Sequence, residues 1–168
     1  RDPAKHVHEA IRAAEAAGAV EVGGTLYSRH DAFGIASSSG ALAADENASL
    51  DLSVRAFSQP EASGHAVSVT PRLATLKAKE TGARAGELAV MAKNPVQGEQ
   101  GKFDIIIEPL FLGSIMHSTM NMASAFLVGI GMSMYAKMIG RKVASPEVTI
   151  VDDPTVLSSS RRAFAASS

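Results

Sequence analysis

The sequence predicts an α+β fold in which an antiparallel β meander packs against helices. Three observations predict it. Residues 3–17 place apolar side chains at helical spacing, and residues 20–69 consist of short β-branched and aromatic runs separated by glycine, serine and acidic positions. After Pro71 the helical spacing returns. We therefore expect a leading helix, then an antiparallel sheet, and helices around His117 that pack on that sheet.

Composition limits the class of protein. The 168 residues suit one domain, which we place at residues 1–157, followed by a low-complexity tail at residues 158–168. Lys+Arg 16 against Asp+Glu 17 leaves a net charge of -1, which gives no attraction for nucleic acid or an anionic membrane. The chain has no cysteine, which excludes disulfides and thiolate sites. A reducing compartment is permitted, and we expect a cytoplasmic protein.

The first two elements have local signals at their ends. Asp2 can cap the leading helix, Pro3 suits its first position, and Gly18 suits its end. In the meander, residues 50–55 alternate apolar and polar side chains with a period of two, which is typical of a strand with one face in water. Turns are predicted at His30-Asp31 and at Ser39-Gly40.

Three further segments follow the meander. Helical spacing after Pro71 predicts a helix with an apolar face, which Gly82 and Gly86 weaken. Two short β-branched runs predict buried strands, at residues 103–107 and 148–151. The apolar face of the predicted helix contains Leu73, Leu76, Ala83, Leu88 and Met91.

The run from Pro109 to Ala136 contains no Asp, Glu, Lys or Arg. It is long enough to cross a bilayer, for which about 20 apolar residues suffice. However, serines, Thr119, Asn121 and His117 are spread through it, and such polar groups are costly in hydrocarbon. The sequence therefore favours a buried, glycine-interrupted helix pair over a membrane span.

Four other histidines are weaker candidates for chemistry than His117. His8-Glu9 invites comparison with a zinc-binding His-Glu-x-x-His helix, but Arg12 occupies the position of the second histidine. His6 and His8 then fit a solvated helix face, and His30 and His65 fit turns. His117 is the lone titratable group in the uncharged run, where it is either a satisfied core histidine or a ligand.

The order of segments resembles the TldD/PmbA family, whose members are metallopeptidases and their sister subunits and have also been described as modulators of DNA gyrase. The part that resembles the family most specifically is the stretch from Gly140 to Thr155. The segments that carry the likeness are Ser63-Gly64, Glu87-Leu88-Ala89, Phe103 to Glu108, Pro109, the helix with His117, Lys137 to Gly140, Val143 to Pro146 and Thr149 to Pro154.

Catalytic members of the family carry His-Glu, three residues, then His, which hold zinc and supply a general base. The matching positions here are His117, Ser118 and Met122, so that only the first ligand is kept. Ser118 cannot act as a carboxylate base and Met122 is a poor zinc ligand. The resemblance therefore implies no catalytic residues, His117 as a vestigial metal position, and zinc in a sister subunit rather than in this chain.

The resemblance implies a PmbA (TldE) type, non-catalytic component of a metallopeptidase assembly for unfolded or precursor peptides. Its partner would be a TldD-type sister subunit or a further copy in a homo-oligomer. Two alternatives stay open: a zinc metallopeptidase with ligands outside this segment, and a non-enzymatic protein that modulates DNA gyrase. Family members are longer, so we expect a fragment whose meander exposes sheet edges, to which an extended substrate adds as a strand.

Overall fold

The computed structural model describes residues 2–151, which form two compact units at residues 2–100 and 101–151. The domain end predicted at residue 157 and the tail at residues 158–168 lie outside the described residues, so this division stays a prediction. The first unit contains α1 (Ala4–Ala16), β1 (Glu21–Ala36), β2 (Leu42–Gln59), β3 (Ala62–Thr70), a 3₁₀ turn (Leu73–Thr75) and α2 (Ala78–Met91). The second contains α3 (Pro109–Asn121) and α4 (Ala125–Gly129).

Helix α1 begins and ends where its local signals place it. The carboxylate of Asp2 accepts a hydrogen bond from the Ala4 N–H at 3.0 Å, which satisfies one of the free donors of the first turn. Gly18 has a φ of 100°, and its N–H donates to the Glu15 carbonyl at 2.9 Å. A left-handed residue at this position closes the last turn, and glycine adopts that conformation without steric cost.

The three strands form one antiparallel sheet in the order β1-β2-β3, which confirms the predicted meander. The chain reverses between β1 and β2 around Gly40, as predicted, with the Ser37 N–H donating to the Ala41 carbonyl at 2.9 Å. The turn predicted at residues 30–31 is wrong. Both residues lie within β1, opposite Ala48 and Asn47, because pairing along the whole hairpin outweighs their local turn preference.

Over residues 52–58, the period-two pattern of β2 places the even-numbered residues in the core. Leu52, Val54 and Ala56 are buried under α1 and α2. The helices that pack on the sheet are therefore α1 and α2, whereas α3, which carries His117, lies in the second unit. The Ser58 hydroxyl donates to the Ala89 carbonyl at 2.5 Å, which satisfies a buried polar group and connects β2 to the last turn of α2.

Helix α2 packs through its smallest residues. A Cβ atom built on Gly82 would overlap the Ala10 carbonyl, and one on Gly86 would lie 2.5 Å from the Ala14 carbonyl oxygen. Both contacts advance by four residues, so α1 and α2 run parallel at very close range. The two glycines that weaken α2 as an isolated helix therefore form the surface through which it contacts α1. Met91, which was predicted on the apolar face of this helix, is 76% exposed.

The second unit has the two predicted helices but neither predicted strand. Residues 103–107 and 148–151 are irregular, and no strand neighbours them in the part of the chain that the structure describes. A β-branched run forms a strand only where another strand supplies hydrogen bonds. The helix pair is not a buried one either, since no residue of α3 or α4 is fully buried. None of the helices within residues 2–151 has the length and apolar character that crossing a membrane requires.

Candidate functional site

Helix α3 presents His117 close to its carboxyl end. Glu108 precedes the helix in extended conformation and Pro109 occupies its first turn, where a missing N–H costs nothing. The side chain of His117 is exposed, so it is not a core histidine within the described structure. Its Nε2 atom lies 3.3 Å from Nδ2 of Asn121, one turn further along. The amide donates to this nitrogen when it is unprotonated, and so occupies the lone pair with which an imidazole binds metal.

The residues around His117 do not supply the other groups that a zinc peptidase needs. Ser118 follows it on α3, and Met122 comes directly after the last helical residue. The Met122 carbonyl accepts a hydrogen bond from the hydroxyl of Ser133. Within residues 2–151, no three His, Cys, Asp or Glu side chains lie close enough to hold a metal ion. Catalytic zinc needs three protein ligands, so the described donors do not fit it.

The two histidines of α1 contact their own helix. His8 Nδ1 lies 2.8 Å from the Ala4 carbonyl oxygen. His6 Nδ1 lies 3.3 Å from a Glu9 carboxylate oxygen, without the alignment of a hydrogen bond. His6 also lines an open cavity of about 600 Å³ together with Lys79 and Glu80 of α2. Side chains of both charges line the cavity, so it favours neither an anionic nor a cationic ligand.

The other two histidines lie on the sheet. His65 Nε2 is 2.9 Å from the Ser53 hydroxyl, on the face opposite the helices. His30 Nε2 is 3.9 Å from a Glu46 carboxylate oxygen across β1 and β2. Both contacts are cross-strand pairs, so His30 and His65 belong to the surface of the sheet rather than to turns.

The β1-β2 hairpin continues far beyond β3. Strand β3 pairs only with residues 50–59 of β2. Strand β1, in contrast, pairs with residues 42–57 of β2 along its whole length. Residues 29–36 and 42–49 therefore form a two-stranded ribbon, which we call the arm. Sequence reasoning missed the arm because it placed a turn at its centre. The even spacing of Tyr27, Phe33 and Ile35, which places them on one face of a strand, is the signal that could have revealed it.

No strand within residues 2–151 pairs with the outward edge of β1, and two glycines lie near the start of this strand. A Cβ atom built on Gly23 would meet nothing within 4 Å, whereas one on Gly24 would overlap the Ser53 carbonyl. A groove of about 280 Å³ separates this part of β1 from α1, with Val7 and Ile11 among its apolar walls. Glycine within a strand is typical of places where another backbone approaches closely.

The arm carries a short ion pair on the sheet face opposite the helices. Arg29 Nε lies 2.6 Å from an Asp31 carboxylate oxygen, two residues along β1. The hydrogen bond from Arg29 to Asp31, and the negative charge of Asp31, raise the pKa of Arg29 above its usual value. Both side chains are about half exposed, so the pair is available to a neighbouring strand.

Comparisons with known proteins assign most of the chain. Residues 2–93 match the model of the PmbA/TldA metallopeptidase central domain, and residues 100–166 match that of the PmbA/TldA metallopeptidase C-terminal domain. A metalloprotease of Methanothermobacter thermautotrophicus is 38% identical over 79 residues. That match covers 46% of this chain and 17% of the relative, so it spans less than a fifth of that protein's length. No solved structure matches the chain.

Proposed function

This chain belongs to the PmbA/TldD metallopeptidase family, and on that premise we propose that it is a non-catalytic, PmbA (TldE) type component of a metallopeptidase assembly. The assembly acts on unfolded or precursor peptides. Zinc would be held by a TldD-type sister subunit, where it would supply the hydrolytic chemistry of the assembly. This chain contributes surface that holds the substrate.

The observation that carries the proposal is the donor set of α3. A peptide-cleaving zinc site needs at least two imidazoles on this helix and a carboxylate base beside the metal. His117 is accompanied by Ser118 and Met122, and α3 contains no Asp or Glu. A serine hydroxyl does not take up a proton near neutral pH, and a thioether is a soft ligand that prefers Cu(I) to Zn²⁺.

In this proposal, the substrate binds to the edge of the sheet that β3 forms. Strand β3 is an edge strand, and its only titratable residue is His65. Its inner face is buried against α2, which holds the strand rigid. An extended peptide that adds to β3 gains main-chain hydrogen bonds, which do not depend on the peptide's sequence. Such binding suits a component that accepts many unfolded peptides.

The first test is the zinc content of the purified chain after dialysis against metal-free buffer, measured by elemental analysis beside the variant His117→Ala. We expect substoichiometric zinc in both proteins and no peptide cleavage by either. The double variant Ser118→Glu/Met122→His, which restores the family's motif, should bind more zinc than the parent chain. One tightly held zinc per parent chain, lost in His117→Ala and accompanied by cleavage, would show that this chain is itself the metallopeptidase.

A second test addresses the edge of β3. Lysine on an edge strand opposes the addition of another strand, so Val67→Lys/Val69→Lys should weaken binding of an unfolded peptide to the assembly. Thr25→Lys on β1 is the matched control and should leave that binding unchanged. Fluorescence anisotropy of a labelled unfolded peptide measures both. Equal binding by the β3 variant and the parent protein would exclude this edge as the substrate surface.

A further inference from the structure

Soft sulfur ligands are concentrated around the carboxyl end of α3. The chain has seven methionines and no cysteine, so thioethers are its only sulfur ligands. The Ser133 hydroxyl donates to the Met122 carbonyl, which connects a second methionine-bearing segment to the end of α3. Thioether sulfur is a soft ligand that selects Cu(I) among the biological metals. Six of the seven methionines lie in this part of the chain, at Met116, Met120, Met122, Met132, Met134 and Met138.

Three of the possible metal ligands lie on one side of α3. Met116 and Met120 are four residues apart, and His117 and Met120 are three apart. Side chains at these spacings are neighbours on a helix, with Cβ atoms about 5–6 Å apart. The three rotatable bonds of a methionine side chain let both sulfurs and the imidazole converge on one ion. Met122 keeps helical backbone angles but lies two residues beyond Met120, and residues two apart do not face each other.

The surroundings of these side chains favour a soft cation of low charge. The last carbonyl groups of a helix carry partial negative charge, and Met120 lies in the last turn of α3. Residues 109–136 contain no Lys or Arg to repel a cation and no Asp or Glu to attract a hard one. Met116 and Met120 are partly buried, so binding an ion orders them at a smaller entropic cost than it would two fully exposed side chains.

His117 supplies a nitrogen ligand, and Asn121 orients its ring. Asn121 Nδ2 lies 3.3 Å from His117 Nε2. When the amide turns so that its oxygen accepts the Nε2–H, the unprotonated nitrogen is Nδ1, which binds a metal. Two thioethers and one imidazole form a neutral ligand set. Bound Cu(I) then keeps one positive charge and bound Zn²⁺ keeps two, and the higher charge costs more to hold beside partly buried side chains.

We propose that Met116, His117 and Met120 form a binding site for Cu(I) at the carboxyl end of α3. The two sulfurs and His117 Nδ1 bind the ion, and Asn121 is a positioning residue that fixes the tautomer of the imidazole. The inference goes beyond the proposed peptidase role and is independent of it, since the site needs neither the sister subunit nor the edge of the sheet.

Competition with a chromophoric Cu(I) chelator, in anaerobic buffer with ascorbate, measures the affinity of the full chain. We expect one Cu(I) per chain, and binding at least about tenfold weaker in Met116→Leu and in Met120→Leu. Leucine keeps the volume of methionine and removes only the sulfur, so the fold should be preserved. Met122→Leu is the matched control from the opposite side of the same helical turn, and it should bind Cu(I) as the parent chain does.

Ag(I) gives a measurement that does not depend on the redox state of copper. In protein labelled with ¹³C at the methionine methyl groups, one equivalent of Ag(I) should shift the NMR signals of Met116 and Met120. The signal of Met91, in α2 of the first unit, should stay unchanged. Each methionine-to-leucine variant removes one signal and so assigns it. Zn²⁺ in about tenfold excess should not reverse the shifts that Ag(I) causes.

Three results would overturn the proposal. The first is equal affinity for Cu(I) in the parent chain and in the double variant Met116→Leu/Met120→Leu. The second is a loss in Met122→Leu as large as that in Met120→Leu, since the thioethers would then bind copper without a defined site. The third is displacement of Ag(I) by Zn²⁺, which would indicate harder ligands. Far-UV circular dichroism of each variant checks its folding. Substoichiometric zinc without Cu(I) binding would overturn this inference alone and leave the proposed function standing.

Discussion

The β1-β2 hairpin has two halves: the arm, and the half that lies beside β3. Both halves belong to the same two strands, yet only the half beside β3 is buried. Leu52 is 2% exposed, whereas Leu42, on the same strand and the same side of the sheet, is 85% exposed. The difference lies in the neighbours, because β3, α1 and α2 accompany only residues 50–59 of β2. An alternating strand can thus serve as core or as a free surface, and the layers around it determine which.

The largest effect should come from replacing matched leucines in the two halves. Leu52→Ala removes a fully buried side chain and should lower the free energy of unfolding by about 3 kcal/mol. Leu42→Ala, in the arm, should change it by less than about 0.5 kcal/mol. Urea unfolding followed by far-UV circular dichroism measures both. Equal losses would mean that the arm is packed as tightly as the core.

Matched glycines should give the next largest effect. Gly82→Ala inserts a methyl group against the Ala10 carbonyl, and the strain should cost about 2 kcal/mol of unfolding free energy, although alanine favours helix. Gly34→Ala in the arm meets its nearest atom at 3.9 Å and should be neutral or slightly stabilising. Thermal unfolding of both variants tests this. A stabilised Gly82→Ala protein would contradict the close approach of α1 and α2.

A smaller effect should follow from removing a buried hydroxyl. Ser58→Ala leaves the Ala89 carbonyl without its donor and should cost about 1 kcal/mol of unfolding free energy. Ser53→Ala, whose hydroxyl contacts His65 on the open face, is the control and should cost less. Denaturant midpoints of the two variants give the comparison. If Ser53→Ala proved the more damaging change, the open face of the sheet would be covered in solution.

The smallest effect should come from an exposed cross-strand contact of the arm. His30 and Glu46 lie 3.9 Å apart and are both mostly exposed, so Glu46→Gln should change the unfolding free energy by less than about 0.5 kcal/mol. Raising the salt concentration should reduce even this difference. Chemical denaturation at low and high ionic strength measures it. A loss of several times that size would indicate that a partner buries the pair.

Local signals predicted the elements whose stabilising contacts lie close in sequence. Gly18 ends α1, Pro109 begins α3, and Gly40 turns the hairpin, since each acts through its own backbone conformation. The two buried strands predicted at residues 103–107 and 148–151 are wrong. Strand formation depends on a partner distant in sequence, and β-branched residues alone cannot supply one.

Some features of the candidate site could likewise be predicted from the sequence, and others could not. The side chains at residues 117, 118 and 122 can be compared with the family's zinc motif from the sequence alone, because the chemistry of a side chain is set by its identity. The open groove beside β1 was not predictable, since it depends on where α1 stops covering the sheet.

By itself, the sequence determined the helix ends, the alternation of β2, the absence of thiolates and the side chains at positions 117, 118 and 122, all of which are properties of single residues or short spacings. Only the tertiary structure decided that Gly82 and Gly86 are contact residues and not helix breakers, that the hairpin extends beyond its third strand, and that Ile35 and Leu42 of the arm are exposed. The physical reason is that burial and close packing belong to pairs of elements, and a pair exists only after the chain has brought its distant segments together.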